Sequence, residues 1–178
     1  TGTDDDDVII TTGGQQTISL FTQTMINKGD VIVCEEPSFI GALNAFRSFG
    51  AQLKGVPMDD EGMRMDLLEE VLSTTKNVKF IYVIPTFQNP SGRTMTLERR
   101  KQLLALAKKY DVLILEDNPY FELRYEGEPV ATVKSMDTEG RVVYAGSYSK
   151  VLSPGMRIGF CLANKEIINR MVVCKQVS

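Results

Sequence analysis

Continuous apolar runs alternate with helical patterns along the whole of this chain of 178 residues. In VIVCE (31–35) and DVLILED (111–117), β-branched residues and leucine follow one another without the polar alternation of a half-exposed strand. Such runs are typical of strands that are buried on both faces of a sheet. We predict five further strands in the same way, at 8–12, 52–57, 79–85, 141–146 and 157–163.

Helical patterns occupy the intervals between these strands. The clearest is TLERRKQLLALAKKY (96–110), in which Thr96 can cap the N-terminus while Lys108 and Lys109 lie at the negative end of the helix dipole. Further helices are expected at 15–27, 39–48 and 64–73, and a last one from 165 to the end of the chain.

This alternation predicts a three-layer α/β/α domain with a seven-stranded, largely parallel sheet. The link between the last two strands, 147–156, is too short for a full helix, so the seventh strand is expected to run antiparallel. The sequence starts directly ahead of a predicted strand and stops within a helical pattern that has no Gly or Pro stop signal. We therefore expect residues 1–178 to be one domain of a longer protein. The acidic run DDDD (4–7) is expected to be a solvated loop.

The composition excludes several kinds of site. The sequence contains no histidine, so a Ser-His-Asp triad, a Cys-His dyad or a His-ligated zinc centre cannot be built from this chain. No metal site is expected. The cysteines, Cys34, Cys161 and Cys174, lack CxxC spacing, which favours free thiols in a reducing cytoplasm. Catalysis would therefore depend on Lys, Asp, Tyr, Ser or a cofactor.

Charge and hydropathy narrow the range of partners. The net charge is −3 and the pI is about 5.1, without a cluster of Lys and Arg, which argues against nucleic acid as a partner. No apolar run approaches the roughly 20 residues that a membrane span requires. We therefore expect neither a nucleic-acid partner nor a membrane partner.

Polar and aromatic residues follow five of the predicted strands at the point where each strand ends. Because the carboxyl ends of parallel strands share one edge of the sheet, where α/β folds bind ligands, we expect these residues to form one site. Gly14 and Gln15 open the first helix, so their N–H groups can bind an anion, although an ordinary tight turn would also explain them. The other candidates are Phe39, Asn89, Asp117, Tyr120, Ser147, Ser149, Lys150 and Arg157.

Asp117 ends the strand expected at the centre of the sheet, where an unpaired carboxylate is costly. No cation lies near it in the sequence, and the protonated ring nitrogen of a cofactor would supply one. The alternative is an aspartate that caps a helix or shapes a turn. In PTFQNPSGRT, Asn89 either shapes the turn or presents its amide to the site.

The segment GSYSKVLSPGMRIGF (146–160) places Lys150 between small hydroxyl residues and Arg157. A lysine that forms a Schiff base must be neutral, and burial beside a second cation lowers the pKa of a lysine. Arg157 could be that cation while it binds a phosphate, with the hydroxyls of Ser147 and Ser149 completing the phosphate site. Alone, the pattern also fits a surface lysine; together with the other residues it favours a cofactor site.

Together these motifs resemble the large domain of the pyridoxal-phosphate aminotransferases of class I/II, also called fold type I. NP[ST]G, D-x-x-Y and SxSK followed by an arginine occur in the family order, and the chain is most similar to the branch with 2-aminoadipate and kynurenine aminotransferases. The resemblance implies that Lys150 binds the cofactor as a Schiff base and moves a proton between the substrate Cα and the cofactor C4′. Asp117 would pair with the pyridine N–H, while Asn89 and Tyr120 would hydrogen-bond to the phenolic oxygen.

The resemblance also implies roles for the other candidates. Phe39 would stack on the ring, and the phosphate would be held by the backbone of Gly14 and Gln15 and by Ser147, Ser149 and Arg157. Many relatives have Gly-Ser-Gln where this chain has Gly-Gly-Gln, which removes a hydroxyl and keeps the N–H groups.

At the level of the whole protein, the resemblance implies the strand order 3-2-4-5-6-7-1 with strand 7 antiparallel. It implies a homodimer with its site at the subunit interface. It also implies a small domain whose arginine binds the substrate carboxylate, and that part of the family pattern lies beyond Ser178.

Three other functions stay open. Some bacterial transcription regulators fuse a DNA-binding domain to this fold and retain the SxSK lysine, but they often replace the asparagine that is Asn89 here. A pyridoxal-phosphate-dependent lyase or decarboxylase shares the cofactor chemistry and differs in the bond broken at Cα. An α/β binding domain without a cofactor would leave Asp117 and Lys150 unexplained. We predict an amino-acid aminotransferase.

Overall fold

The computed structural model describes residues 2–177; Thr1 and Ser178, the ends of the predicted domain, lie outside the described residues. No helix within the described range is both long enough and apolar enough to span a bilayer. The strands are β1 (Asp6–Thr11), β2 (Val31–Glu36), β3 (Gln52–Asp59), β4 (Gly62–Met63), β5 (Val78–Val83), β6 (Leu113–Asp117), β7 (Val142–Ser147) and β8 (Gly159–Asn164). The helices are α1 (Gly14–Met25), α2 (Ile40–Ser48), α3 (Met65–Thr74), α4 (Leu97–Lys109), α5 (Val133–Met136) and α6 (Lys165–Gln176).

All eight strands belong to one sheet, in the order β1-β8-β7-β6-β5-β2-β3-β4. β8 runs antiparallel to both β7 and β1, whereas β7, β6, β5, β2 and β3 run parallel to one another. The predicted order of seven strands and the antiparallel seventh strand are therefore confirmed. The carboxyl ends of β1, β2, β5, β6 and β7 consequently lie at one edge of the sheet, which is where an α/β fold binds its ligand.

Two short elements were missed by the sequence analysis. β4 has two residues and pairs antiparallel with Met58 and Asp59 at the end of β3. α5 is a single turn. Neither element is long enough to show a periodic pattern, and for that reason the sequence gives no signal for them.

The prediction of a solvated loop for the acidic run 4–7 is wrong in part. Asp6 begins β1, and its buried carboxylate lies 2.7 Å from the Nζ of Lys134, which is itself fully buried. Asp137 lies 3.6 Å from the same ammonium. A buried ammonium requires carboxylate partners, and the long-range contact with Lys134 therefore holds the Asp6 side chain inside the fold, whereas Asp7, also in β1, stays exposed.

Helices cover both faces of the sheet. α1, α2 and α6 pack on one face, where Phe21, Phe46, Phe80 and Tyr82 form a buried cluster with ring centroids 4.9 to 5.6 Å apart. α3, α4 and α5 pack on the other face. Full burial of one such side chain contributes roughly 2–3 kcal/mol, so the aromatic cluster fixes α1 and α2 firmly against β5.

The loop between β5 and α4 is fixed by Arg100, a fully buried arginine of α4. Its guanidinium donates hydrogen bonds to the carbonyl of Pro85 at 2.7 Å and to that of Ala131 at 3.1 Å, and its Nε donates to the carbonyl of Met95 at 3.0 Å. A buried guanidinium needs an acceptor for each N–H group, and the loop carbonyls supply them. Arg100 thereby ties the loop that contains Asn89 to α4.

Candidate active site

A cavity of about 300 Å³ lies at the carboxyl edge of the sheet, where β5, β6 and β7 end and α1 begins. All ten residues that the sequence analysis proposed for the site line this one cavity. Four further lining residues were not predicted, because an apolar residue next to a polar candidate carries no signal of its own: Ile18, Ile84, Pro119 and Pro154.

One end of the cavity is electropositive. α1 begins at Gly14 without a side-chain cap, so among the described residues nothing accepts the N–H groups of Gly14 and Gln15, whereas the N–H of Gln16 donates to the Gly13 carbonyl. The guanidinium of Arg157 packs so closely on Gly13, whose φ is +78°, that a Cβ there would lie 2.4 Å from Nη2. Within residues 2–177, no carboxylate lies within 4 Å of this guanidinium, and its contacts are the Ser149 hydroxyl and the Pro154 carbonyl.

The loop after β7 completes that end of the cavity. Ser147 Oγ accepts the N–H of Ser149 at 3.2 Å, and Ser149 Oγ lies 3.5 Å from Nη1 of Arg157. Free N–H groups, hydroxyls and an arginine without an acidic partner are the groups that bind a phosphate.

Asp117 forms the floor of the cavity at the end of β6 and is almost fully buried. Burial raises the pKa of this carboxyl to about 6, and a hydrogen bond of 2.7 Å from the hydroxyl of Tyr82 opposes the rise. In the described part of the chain, no lysine or arginine lies within 4 Å of Asp117. Among the described residues, no protein group is therefore the cationic partner predicted for Asp117.

Asn89, Tyr120 and Lys150 lie around the mouth of the cavity. Asn89 Nδ2 donates to the hydroxyl of Tyr120 at 3.5 Å, and Lys150 Nζ lies 6.0 Å from the centroid of the Tyr120 ring. We expected the Schiff-base lysine to be buried beside a second cation. The Lys150 side chain is instead exposed. Lys150 nevertheless lines the cavity.

Phe39 forms a further wall immediately ahead of α2. Its ring folds over Gly41, where a Cβ would lie 2.4 Å from the ring, and the Gly41 carbonyl accepts a hydrogen bond of 3.1 Å from Gln15 Nε2. The start of α2 is thus held against the start of α1, with the aromatic ring facing the cavity.

Two buried polar residues behind the cavity wall were missed by the sequence analysis. Tyr82 lies on β5 and bonds to Asp117, and Glu35 lies near the end of β2. A signal existed for both: Tyr82 interrupts the apolar run of a predicted strand and Glu35 ends another, and a polar residue in a buried strand needs a partner.

The sequence matches the family described as Aminotransferase class I and II over residues 2–176. Aromatic-amino-acid aminotransferase 1 of Thermococcus litoralis is 50% identical over 174 residues, which cover 96% of this chain and 42% of that protein. The crystal structure of Pyrococcus horikoshii kynurenine aminotransferase, in complex with PMP, has a TM-score of 0.94 at 44% identity and covers 99% of this chain and 45% of its own. An uncharacterized HTH-type transcriptional regulator of Bacillus subtilis is 38% identical over 94% of this chain and 34% of its own length.

The chain thus spans less than half the length of the relatives it matches. The similarity of its fold to solved aminotransferases confirms the predicted fold type I architecture. A match that covers nearly every residue, together with 50% identity to an aminotransferase, is decisive for the family. The chain belongs to the aminotransferase class I and II family.

Proposed function

We propose that this chain is the pyridoxal-phosphate-binding domain of an amino-acid aminotransferase, which transfers an amino group from an amino acid to a 2-oxo acid. The observation that carries the proposal is a single cavity that joins an anion site, a buried carboxylate without a cation and a lysine. Family membership supports both the activity and the cofactor. The names of the relatives make aromatic amino acids, kynurenine and 2-aminoadipate the first substrates to test.

The residues present fit pyridoxal 5′-phosphate at two separate points. The N-terminus of α1 and Arg157, with Ser147 and Ser149, form a site for the phosphate. Asp117, whose raised pKa shows an uncompensated buried carboxyl, suits the pyridine nitrogen, since a neighbouring N–H cation favours the ionised acid. When bound, the cofactor supplies an electron sink for the electrons released at the amino-acid Cα.

Separate tasks fall to the chain's own residues. Lys150 would hold the cofactor, and its amine, once free, would take the proton from the substrate Cα and deliver it to the cofactor C4′. Asn89 and Tyr120 would hydrogen-bond to the phenolic oxygen, and Phe39 would cover one face of the ring, since all three line the cavity. Asp117 would keep the ring nitrogen protonated.

A second candidate function is effector binding in a transcription regulator, because the Bacillus subtilis regulator is similar to this chain, but aminotransferases with higher identity make it the less favoured candidate. Asn89, which the regulators often replace, favours the enzyme. A basic helix-turn-helix segment ahead of Thr1 in the full-length protein would decide for the regulator. A pyridoxal-phosphate-dependent lyase is a third candidate, distinguished by its products.

We further propose that the full-length protein is a homodimer located in the cytoplasm. The resemblance supports the dimer, and the buried free thiols of Cys34 and Cys161 support a reducing compartment. Size-exclusion chromatography with light scattering and fractionation of the source cells test these two points.

The function itself is tested by titrating the full-length protein with pyridoxal phosphate and then adding a panel of amino donors. We expect a visible absorbance band that Lys150→Ala abolishes, and its bleaching by donors that yield the matching 2-oxo acid. A wild-type protein that develops no band would contradict the proposal. A band together with specific DNA binding and no turnover would favour the regulator.

A further inference from the structure

Glu35 is a buried carboxyl that the proposed chemistry does not use. It is the penultimate residue of β2 and is 2% exposed. Burial, together with the nearby charge of Asp117, raises the pKa of Glu35 to about 8. Among the residues described, no lysine or arginine lies within 4 Å of it. Burying a carboxyl without a cation costs folding free energy, so the hydrogen bonds of Glu35 indicate its role.

The side chain of Glu35 lies just beyond the point at which β2 stops pairing with β5. The ladder between β2 and β5 ends at the pair Cys34–Tyr82, so the N–H of Ile84 has no backbone partner on β2. Glu35 Oε2 accepts this N–H at 3.0 Å. The side chain therefore continues the connection between the two strands beyond the ladder, up to the cavity that Ile84 lines.

Gln88 extends this connection into the neighbouring loops. Its Nε2 donates to Glu35 Oε2 at 3.3 Å and to the carbonyl of Pro37 at 2.8 Å. Its Oε1 accepts the N–H of Ser91 at 2.8 Å. The Nε2 atom of Gln88 is thus bound at the end of β2, and its Oε1 atom is bound to the Asn-Pro-Ser-Gly turn.

The two segments held in this way carry two walls of the cavity. Pro37 lies two residues before Phe39, and Gln88 lies directly before Asn89. We propose that Glu35 is a positioning residue which, through Gln88, fixes the spacing between the Phe39 wall and the Asn89 turn and so sets the width of the slot for the cofactor ring. This inference rests on the proposed function, since it assigns the cavity to that ring.

Three variants and one control test the proposal in the full-length protein. Glu35→Leu removes the acceptor at similar volume, Glu35→Gln keeps an acceptor oxygen, and Gln88→Leu breaks the second half of the connection. Glu116→Leu is the matched control. Glu116 is an equally buried carboxyl that accepts backbone N–H groups, but those belong to α5, away from the cavity.

Hydrogen exchange of the cofactor-free protein examines the connection without any ligand. We expect the amides of Ile84 and Ser91 to exchange at least tenfold faster in Glu35→Leu and Gln88→Leu than in the wild type. Glu35→Gln and Glu116→Leu should keep the wild-type rates at both amides.

Titration with pyridoxal phosphate examines the slot. We expect Glu35→Leu and Gln88→Leu to bind pyridoxal phosphate roughly tenfold more weakly than the wild type. The pH at which the visible absorbance band changes should also shift in these two variants. Glu35→Gln should show the wild-type affinity and the wild-type pH. An equal loss of affinity in Glu116→Leu would overturn the inference, because it would reflect stability alone.

The two proposals fail in different ways. A wild-type protein that binds no pyridoxal phosphate contradicts the proposed function, whereas wild-type binding that Glu35→Leu leaves unchanged overturns this inference alone. If Glu35→Leu does not fold, the comparison of Gln88→Leu with Glu35→Gln decides by the same criteria.

Discussion

The hydroxyl of Tyr82 donates a hydrogen bond to the Asp117 carboxylate across two neighbouring strands. Burial raises the pKa of Asp117 to about 6, and this bond favours the ionised form. A pyridine N–H needs that ionised form as its partner. Tyr82 of β5 therefore favours the ionised form of Asp117 that the proposed cofactor site requires.

Replacing Tyr82 by phenylalanine should raise the pKa of Asp117 above that of the wild type, because the hydrogen bond that favours the carboxylate is lost. A carbon-13 NMR titration of the Asp117 carboxyl in the cofactor-free protein measures the change. Tyr110→Phe, which removes a hydroxyl near Glu69 on the opposite layer, is the control and should leave this titration unmoved. An unchanged pKa in Tyr82→Phe would show that the bond has no such role.

Gly13→Ala should cost about 1–2 kcal/mol of folding free energy from the positive φ and should also displace Arg157, because the new Cβ would lie 2.4 Å from Nη2. Gly29→Ala is the control, since its φ of +92° carries the backbone cost while no atom lies within 4 Å of its Cβ. Urea unfolding should show comparable losses in both variants. Pyridoxal phosphate should bind markedly more weakly in Gly13→Ala alone; equal binding in the two would contradict the proposed phosphate site.

Among the elements, long apolar runs made the strands predictable, since burial on both faces leaves an uninterrupted pattern in the sequence. The order of the strands was predicted from the family resemblance. β4 and α5 could not be predicted because they are too short to have a period. The contact between Asp6 and Lys134 joins residues that are far apart in the chain and leaves no local trace. The ten candidate residues that line the cavity were proposed from their positions near strand ends and from the family resemblance. The hydrogen bond from Tyr82 to Asp117 depends on strand register and could not be predicted in this way.

Asp6→Asn should destabilise the protein by about 3 kcal/mol and loosen β1, because it leaves the buried ammonium of Lys134 with one carboxylate at 3.6 Å. Urea unfolding measures the free energy, and hydrogen exchange of β1 amides measures the loosening. Asp4→Asn removes an exposed charge of the same acidic run and should change stability by less than about 0.5 kcal/mol. Similar effects of the two variants would refute the buried pair.

At the scale of the whole molecule, three buried carboxyls share a dependence on pH. Burial raises the pKa of Glu35 to about 8, that of Glu116 to about 7 and that of Asp117 to about 6. An acid whose pKa is higher in the folded than in the unfolded state contributes stability below its unfolded pKa and loses it as the pH rises through the folded pKa. The stability of the cofactor-free protein should therefore fall between pH 5 and pH 8.

Glu35→Gln should flatten this fall more than any other single change, because Glu35 has the highest of the three pKa values. One pKa unit corresponds to about 1.4 kcal/mol, so the difference between the two profiles should amount to a few kcal/mol by pH 8. Urea unfolding at pH 5, 6, 7 and 8 gives the profiles, and other titrating groups cancel in the difference. Parallel profiles for the two proteins would contradict the raised pKa.

The central claim is that Lys150 holds the cofactor, and borohydride reduction tests it most directly. The full-length protein is loaded with pyridoxal phosphate, reduced to trap the Schiff base and digested for peptide mass spectrometry. We expect one phosphopyridoxyl group per chain, on Lys150 within the Gly-Ser-Tyr-Ser-Lys sequence. A label on a different lysine, or an unlabelled Lys150 in protein that has bound the cofactor, would contradict it.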